Sequence, residues 1–438
     1  MPLKFVFGPS GSGKSTYLYQ HVIEESEKYP LKNFIVLVPE QFTMQTQKDL
    51  VSMHPRHGIM NIDVLSFARL AYRVFEETGT KQMQVLDDEG KNLILRKIAG
   101  DYENKLTVLK GNIKKLGYIS EVKSVISEFT QYDIGEEEID EMLDHLDEDS
   151  RLYYKLKDIR LLYEGFQDYL RERYITKEEL LDVLNSQVKE SELLKNSVVV
   201  LDGFTGFTPV QNRLILELMR CCKEVWVTVT MDERENPYAY KHPYQLFGLS
   251  KQMVTTLVRM AGEDHIEVEE PVCLYGYPVK RFEKNQELAF LERNIFRYGS
   301  GRYDKAVENL EIHAAGNPRQ EADAVAEGIR RLVRKEQYRY RDIGVIVSDM
   351  NVYGDYLEQA FENYGIPVFM DHKRSILLNS FVEYIRSLLN MAEKNFSYES
   401  VFRFLRTNLA GFACEEVDEL ENYVLGLGIR GYKDRKST

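Results

Sequence analysis

Residues 3–16 read LKFVFGPSGSGKST: a short β-forming apolar run, a glycine-rich turn and the opening of a helix. Within this stretch Gly8-Pro9-Ser10-Gly11-Ser12-Gly13-Lys14-Ser15 fits GxxxxGK[ST] in full, and Thr16 follows. Glycines let backbone N–H groups curl around an anionic oxygen, a lysine placed as Lys14 is reaches the β- and γ-phosphates, and the Ser15 hydroxyl is a ligand for Mg²⁺. The expected nucleotide contacts are therefore Gly8, Gly11, Ser12, Gly13, Lys14, Ser15 and Thr16, with ATP and Mg²⁺ as cofactors. The alternative is a vestigial loop. A loop by itself does not confer hydrolysis.

Working outward, the helix is expected to run from Lys14 to about Tyr29. Asn33–Val38 (NFIVLV) reads as a buried strand closed by Pro39, and Ile62–Ser66 (IDVLS) as a third, followed by a helix over Phe67–Glu77. Strands alternating with helices indicate an α/β fold with a parallel sheet and crossover helices. Between 86 and 196 apolar residues recur at helical spacing, as in Tyr153, Leu156, Ile159, Leu162 and Phe166, which predicts an all-helical insertion. It contains an acidic stretch, Asp133–Asp149, with ten carboxylates and no Lys or Arg, readable as a solvated helix face or as a docking patch.

Buried-strand composition returns at Ser197–Leu201 (SVVVL) and Glu224–Thr230 (EVWVTVT), so the first sheet resumes there. Thr208 and Pro209 start the intervening helix as a hydroxyl cap with proline at the first helical position. Pro237–Pro278 is polar and tyrosine-rich and reads as a connection. Strands expected at Leu310–Ala314, Ile343–Ser348 and Ile366–Phe369, with helices over Arg319–Lys335 and Tyr353–Tyr364, predict a second α/β lobe. The implied organisation is 1–85, first lobe with the phosphate loop; 86–196, helical insertion; 197–275, remainder of that lobe; 276–380, second lobe; and 381–438, the start of a second insertion. The final stretch, Gly426–Thr438 (GLGIRGYKDRKST), closes no recognisable domain, and a fragment of a longer protein is expected.

A nucleotide site needs a second half, a strand ending in an acid that holds Mg²⁺ through water, usually followed by a glutamate that orients the attacking water. Val198–Asp202 (VVVLD) supplies strand and acid, so Lys14 and Asp202 are the candidate catalytic pair and Ser15 and Asp202 the metal-side ligands. The next residue is Gly203. Hydrolysis is then expected to be slow or absent, unless Asp232 or Glu233 substitutes.

Composition narrows the class further. The 438 residues are 43% hydrophobic and 29% charged, which excludes disordered and low-complexity chains. Lys and Arg total 57 against 70 Asp and Glu, a net charge of −13, so any nucleic-acid contact must use a local basic groove. Cys221, Cys222, Cys273 and Cys414 lack metal or disulfide spacing and read as reduced core thiols. Eight scattered histidines show no HExxH pattern, and no apolar run approaches a membrane span. A cytoplasmic protein with no membrane partner is expected.

Several stretches together resemble a known family. They are GPSGSGKST (8–16), LVPEQFTMQ (37–45), DVLSFARLAYRVF (63–75), LDGFTGFTPVQ (201–211), the segment YRDIGVIVSDMNVYGDYLEQAFENYGIPVFMD (340–371) and LENYVLGLGIRG (420–431). This set resembles the B subunits of the bacterial AddAB helicase–nuclease, which resects DNA ends in double-strand break repair by homologous recombination. The resemblance implies a superfamily 1 helicase fold with two RecA-like parallel-sheet lobes, each carrying a helical insertion. It further implies that the chain binds ATP without being the main motor, partners an A subunit that translocates, engages single- and double-stranded DNA, and helps recognise a recombination hotspot (Chi). The family's B subunits end in a nuclease domain with a cysteine-ligated iron–sulfur cluster; the four cysteines here match no cluster pattern, so that cluster is expected only beyond this chain.

In such a lobe Gln41, and Ser66 with Phe67 and Arg69, stand where single-stranded DNA meets the strand ends, although turn capping and core packing explain the same residues. Arg319 is a candidate to reach a γ-phosphate, or a solvated helix residue; Gln211 reads as solvated or as a nucleotide sensor. The cluster Arg330, Arg331, Arg334, Lys335, Arg339 and Arg341 suits a phosphate track or a charged helix end. A self-sufficient P-loop NTPase or phosphotransferase and an ATP-independent DNA scaffold are the competing functions.

Overall fold

The computed structural model describes residues 2–79, 84–113, 115–171, 174–299, 301–370 and 376–431. Residues 432–438 of the terminal stretch lie outside that set. The chain divides into two units, 1–310 and 311–438.

In a strand, successive side chains point to opposite faces. In β1 (Leu3–Gly8), Leu3, Phe5 and Phe7 enter one core and Val6 the other. The same division holds in β2 (Asn33–Leu37), with Ile35 and Leu37 on one face and Phe34 and Val36 on the other. Two short strands, β4 (Gln84–Leu86) and β5 (Tyr174–Thr176), pair apart from the main sheet. The sheet continues in β6 (Ser197–Leu201) and β7 (Glu224–Thr230), where Val199 and Val227 face one core and Val200 and Trp226 the other. Strands apolar on both sides must be covered on both sides, which is the condition for a parallel sheet. With β3 (Ile62–Leu65) and β8 (Val272–Cys273) the order is β3-β2-β6-β7-β1-β8, and every neighbouring pair is parallel.

Helices Phe67–Thr78, Pro209–Cys221 and Gly248–Glu263 cover one face through Leu70, Val74, Leu214, Leu218, Val254 and Leu257. Helices Lys14–Lys28 and Thr43–Met53 cover the other through Leu18, Tyr19, Val22 and Leu50. Pro237–Pro278 is therefore more than a connection, since it holds both helix Gly248–Glu263 and the edge strand β8. Lys251, Ser250 and the flanking polar residues mask the Met253, Val254, Leu257 and Ala261 stripe, and a two-residue strand is too short to show a period.

The insertion has its own core, with Leu95 and Ile98 of helix Asp88–Asp101, Ile119, Val122 and Ile126 of helix Leu116–Gln131, Ile139 of helix Glu136–Asp144, and Ile159, Leu162 and Phe166 of helix Arg151–Leu170. It is not wholly helical. The β4–β5 pair lies at its base, Leu86 entering the insertion core and Ile175 the sheet core. Buried Asp158 accepts backbone N–H bonds from Thr107, Val108 and Leu109 at 2.9–3.1 Å, which fixes the loop between the first two helices. Part of the acidic stretch is neutralised locally. Glu136 and Asp140 pair with Arg160, and Asp133 with Arg213.

In the second unit, helix Pro318–Lys335 packs Ala322, Ala326 and Ile329 against Leu357, Ala360 and Phe361 of helix Met350–Asn363. The segments read as strands at Leu310–Ala314, Ile343–Ser348 and Ile366–Phe369 are irregular chain without ladder partners among the described residues. Some of their apolar side chains stand in solvent, with Ile312 93%, Ile346 99% and Phe369 89% exposed, whereas Ile366 is buried in the unit's small core with Ile343 and Val347 packed against it. β composition makes a segment able to join a sheet, but a strand forms only where a neighbour offers its backbone. No second parallel sheet is present among the described residues. All four cysteines are free; Cys222 is buried, but Cys273 and Cys414 are exposed, which corrects their reading as core thiols.

Candidate nucleotide and DNA site

Parallel strands deliver their carboxyl ends to one edge, where ligands of open α/β sheets bind. Here β1 runs into the glycine-rich loop, β2 into the turn at Pro39–Phe42, β6 into Asp202 and β7 into Thr230 and Asp232. The loop reverses through Gly11, whose φ of +81° is left-handed and where a Cβ would lie 2.8 Å from the Arg281 side chain. Lys14 Nζ donates to the carbonyls of Gly8 and Pro9, both at 2.9 Å. Its ammonium is thus held against the inner wall of the loop, at the N-terminus of helix Lys14–Lys28.

Burial lowers the Lys14 pKa to about 8; Asp202 opposes that shift and Arg281 adds to it. Ser15, Thr228 and Tyr19 surround the buried Asp202. Ser15 Oγ donates to Oδ1 at 3.1 Å, Thr228 Oγ1 to Oδ1 at 2.6 Å and Tyr19 O–H to Oδ2 at 2.7 Å. A hydroxyl next to a carboxylate is the hard oxygen set that Mg²⁺ prefers, and a phosphate-bound ion needs few protein ligands, so Ser15 and Asp202 fit it. A cavity of about 490 Å³ opens here, lined by the loop, Asp202, Phe204, Thr228, Lys280 and Arg281.

Sequence reading missed Lys280 and Arg281. Arg281 N–H donates to Gly11 O at 3.0 Å, and the Lys280 side chain lies beside Gly13, so two further cations meet the phosphate loop. The available signal was weak: a Lys-Arg pair more than 260 positions away, in the 276–380 stretch read as the second lobe. Tyr19 and Thr228 were also missed, being core-like in sequence.

Gly203 has φ +80°, a left-handed conformation that a glutamate enters only with strain. Asp232 and Glu233 are committed elsewhere. Arg234 and Arg297 bond Asp232, and chiefly the Arg234 guanidinium holds its pKa down at about 2; Glu233 pairs with Arg293 at 3.0 Å. Asp202 is the one carboxylate among the described residues lining the phosphate cavity.

Gln41 and Arg69 are exposed at the ends of β2 and β3, and Phe42 beside Gln41 is exposed too. Ser66 is buried and its Oγ accepts the Arg69 N–H, the helix-capping role. Phe67 is 7% exposed and packs on Phe204 and Phe207 at ring distances of 5.4 and 6.4 Å, so the aromatic surface beside it belongs to the 203–208 loop. Gln211 is a cap residue, its Oε1 accepting from Thr208 N at 3.0 Å. Arg319 is exposed in the first turn of its helix, in the second unit. Of the basic cluster, Arg330 bonds the Tyr340 hydroxyl, Arg331 pairs with Glu311 and Arg339 with Asp342. Among the described residues no metal-holding group of histidine, cysteine and acid side chains occurs, and no helix is long and apolar enough to cross a membrane.

The sheet, its double helical cover and the convergence of loop, lysine and strand-end aspartate define an α/β protein compatible with a RecA-like lobe. Comparison with known proteins takes this further. The family model described as AddB, N-terminal, matches residues 5–292, and the chain belongs to that family. It is similar to a protein of Lachnoclostridium phytofermentans named as the B subunit of an ATP-dependent helicase/deoxyribonuclease, with 45% identity over 98% of this chain and 38% of that one. Proteins of the same name from Clostridium kluyveri and Clostridium acetobutylicum are 36% and 32% identical, over 98% and 99% of this chain and 37% of each relative. The chain thus spans under two fifths of the length of these relatives.

Proposed function

We propose that this chain is the nucleotide-binding, DNA-engaging portion of a helicase-like B subunit, a weak or inactive motor that serves hotspot recognition and supports a translocating A subunit. The observation that carries this reading is the surroundings of Asp202. Three hydroxyls hold it, a left-handed glycine follows it, and the nearby acids Asp232 and Glu233 are occupied by arginines. Lys14, Ser15 and the loop amides are arranged to hold Mg·ATP, Mg²⁺ would neutralise phosphate charge there, and among the described residues lining the cavity no second carboxylate stands beside Asp202 to orient water.

Membership of the AddB family supports a role in a two-subunit helicase–nuclease acting in double-strand break repair. Exposed Gln41, Phe42 and Arg69, with Phe204 and Phe207, offer amide, aromatic and guanidinium groups to single-stranded DNA along the strand ends. In this reading the unit 311–438 holds the start of a second lobe and, from 381, the opening of its insertion, and an iron–sulfur cluster and nuclease centre belong to the longer protein. The observation favouring a self-sufficient NTPase is the Lys280–Arg281 pair against the loop.

The test is the affinity for single-stranded DNA, measured by fluorescence anisotropy on the complex with the A subunit. The double substitution Gln41→Ala with Arg69→Ala is expected to weaken hotspot-containing DNA by about tenfold or more while scrambled DNA changes less. Equal loss on both sequences would remove the recognition role.

A further inference from the structure

We propose that Tyr19 is a positioning residue that couples the nucleotide site to the turn carrying Gln41, through a buried Asp202–Tyr19–Thr46 hydrogen-bond chain. This rests on the nucleotide-binding reading of Lys14, Ser15 and Asp202 and names how that site is felt elsewhere.

Tyr19 lies in helix Lys14–Lys28, one turn beyond Ser15, and its ring is in the core beside the sheet. Its hydroxyl is 2.7 Å from Asp202 Oδ2 and 3.3 Å from Thr46 Oγ1. Tyr19, Asp202 and Thr46 are each 5% exposed, so water does not compete for these bonds. Burial, and next to it the Asp202 charge, raise the Tyr19 pKa, so the phenol keeps its proton.

One phenolic proton must serve two neighbours. Given to Asp202, it leaves the Tyr19 oxygen to accept from Thr46; given to Thr46, it leaves Asp202 Oδ2 without that donor. Either atom of the Tyr19–Thr46 pair can donate at the observed separation. The pair is therefore a two-arrangement element, biased by whatever else engages Asp202 Oδ2. If the proton turns to Thr46, the Thr46 hydroxyl must redirect its own, and in a helix the local acceptor is the carbonyl four residues back, that of Phe42, a bond that bends helices. Phe42 closes the short turn Glu40–Phe42, which contains Gln41. Thr43, at the junction, is buried and its hydroxyl donates to Glu40 O at 3.0 Å, so a change at Thr46 meets a turn fixed from inside.

A second contact joins the same regions: a Cβ at Gly203 would lie 3.9 Å from the Phe42 ring and 3.6 Å from Pro39. The experiment must separate this packing route from the hydroxyl route. Hydrogen exchange of amides 40–50 is followed in this chain with no nucleotide, with Mg·ATP, and with ATP plus EDTA, alongside calorimetric titration of Mg·ATP. Wild type is compared with Tyr19→Phe, which keeps the ring, and with Thr46→Val, which keeps the shape and the Tyr19–Asp202 bond.

The expected result is a change of about three- to tenfold in exchange of amides 40–50 in wild type, dependent on Mg²⁺. Thr46→Val, which leaves every group around Asp202 in place, should still bind Mg·ATP, and in both variants the exchange response to bound nucleotide should shrink by more than half. A purely structural role would alter exchange equally with and without nucleotide. A response unchanged in both variants assigns the coupling to the Gly203–Phe42 packing and overturns the proposal. So does a wild type that binds Mg·ATP without any response at 40–50. If wild type binds no Mg·ATP, the nucleotide reading itself fails and the coupling falls with it.

Discussion

At Lys14 a half-buried ammonium meets loop carbonyls, and the consequence is a pH dependence of definite sign. Its ordinary pKa of 10.5 falls to about 8 in the folded chain, mainly through burial. Between those values the unfolded chain holds the extra proton, so Lys14 makes stability rise with pH across that window. Nucleotide phosphates favour the ammonium, so binding of Mg·ATP should take up a proton above about pH 8 and none near pH 6.5. Calorimetry in two buffers of different ionisation enthalpy reads this directly. Arg281→Ala, which removes a nearby positive charge, should move the onset of uptake to higher pH; an onset that stays put would show that the two cations do not interact. The phosphate loop and Asp202 were legible because their chemistry depends on short local patterns. Lys280, Arg281, Tyr19 and Thr228 were not, because tertiary contact alone brings them to the site. Phe67 and Ser66 were legible as positions but not as roles: burial makes one a core residue and the other a helix cap.

At the scale of elements, the insertion depends on polar ties that its helical period does not reveal. Lys91 lies in the first insertion helix with a side chain only 3% exposed, and its Nζ donates to Glu178 at 2.7 Å and to Ser127 at 3.2 Å. Glu178→Ala leaves that ammonium buried without its carboxylate and should cost about 3 kcal/mol, whereas Lys91→Met with Glu178→Leu should cost far less. Urea unfolding of the three chains distinguishes a buried ion pair from an incidental contact. Helix Pro209–Cys221 shows the opposite case, where Thr208 and Pro209 mark the start in sequence and the structure adds Gln211, read there as solvated or as a sensor, to close a capping box. Thr208→Ala should cost about 1 kcal/mol by the same unfolding measurement. The β4–β5 pair escaped the helical pattern since two three-residue strands lie far apart in sequence, and β composition at Ile343–Ser348 misled because no neighbour completes its ladder.

Over the whole molecule, the two units differ in the cores that support them. The sheet of residues 1–310 is covered on both faces, while the second unit rests on small clusters around Ala326 and Phe361 and around Phe402. Thermal unfolding should therefore show two transitions, the second unit melting first. Trp226, the single tryptophan, is buried in the sheet beside His21, so its fluorescence should follow only the later transition; one coincident transition by both probes would contradict independent units. The first sheet could be read from sequence since strands apolar on both faces leave few arrangements, whereas the order placing β6 and β7 between β2 and β1 came only with the structure. The central claim is a phosphate site that binds without efficient turnover. Its most direct test is calorimetric titration of Mg·ATP into wild type and Lys14→Ala, with phosphate release followed in the same samples with and without single-stranded DNA. Binding that is lost in the variant, with negligible release under both conditions, is the predicted result; rapid DNA-stimulated hydrolysis by wild type would contradict the account and make this chain a motor.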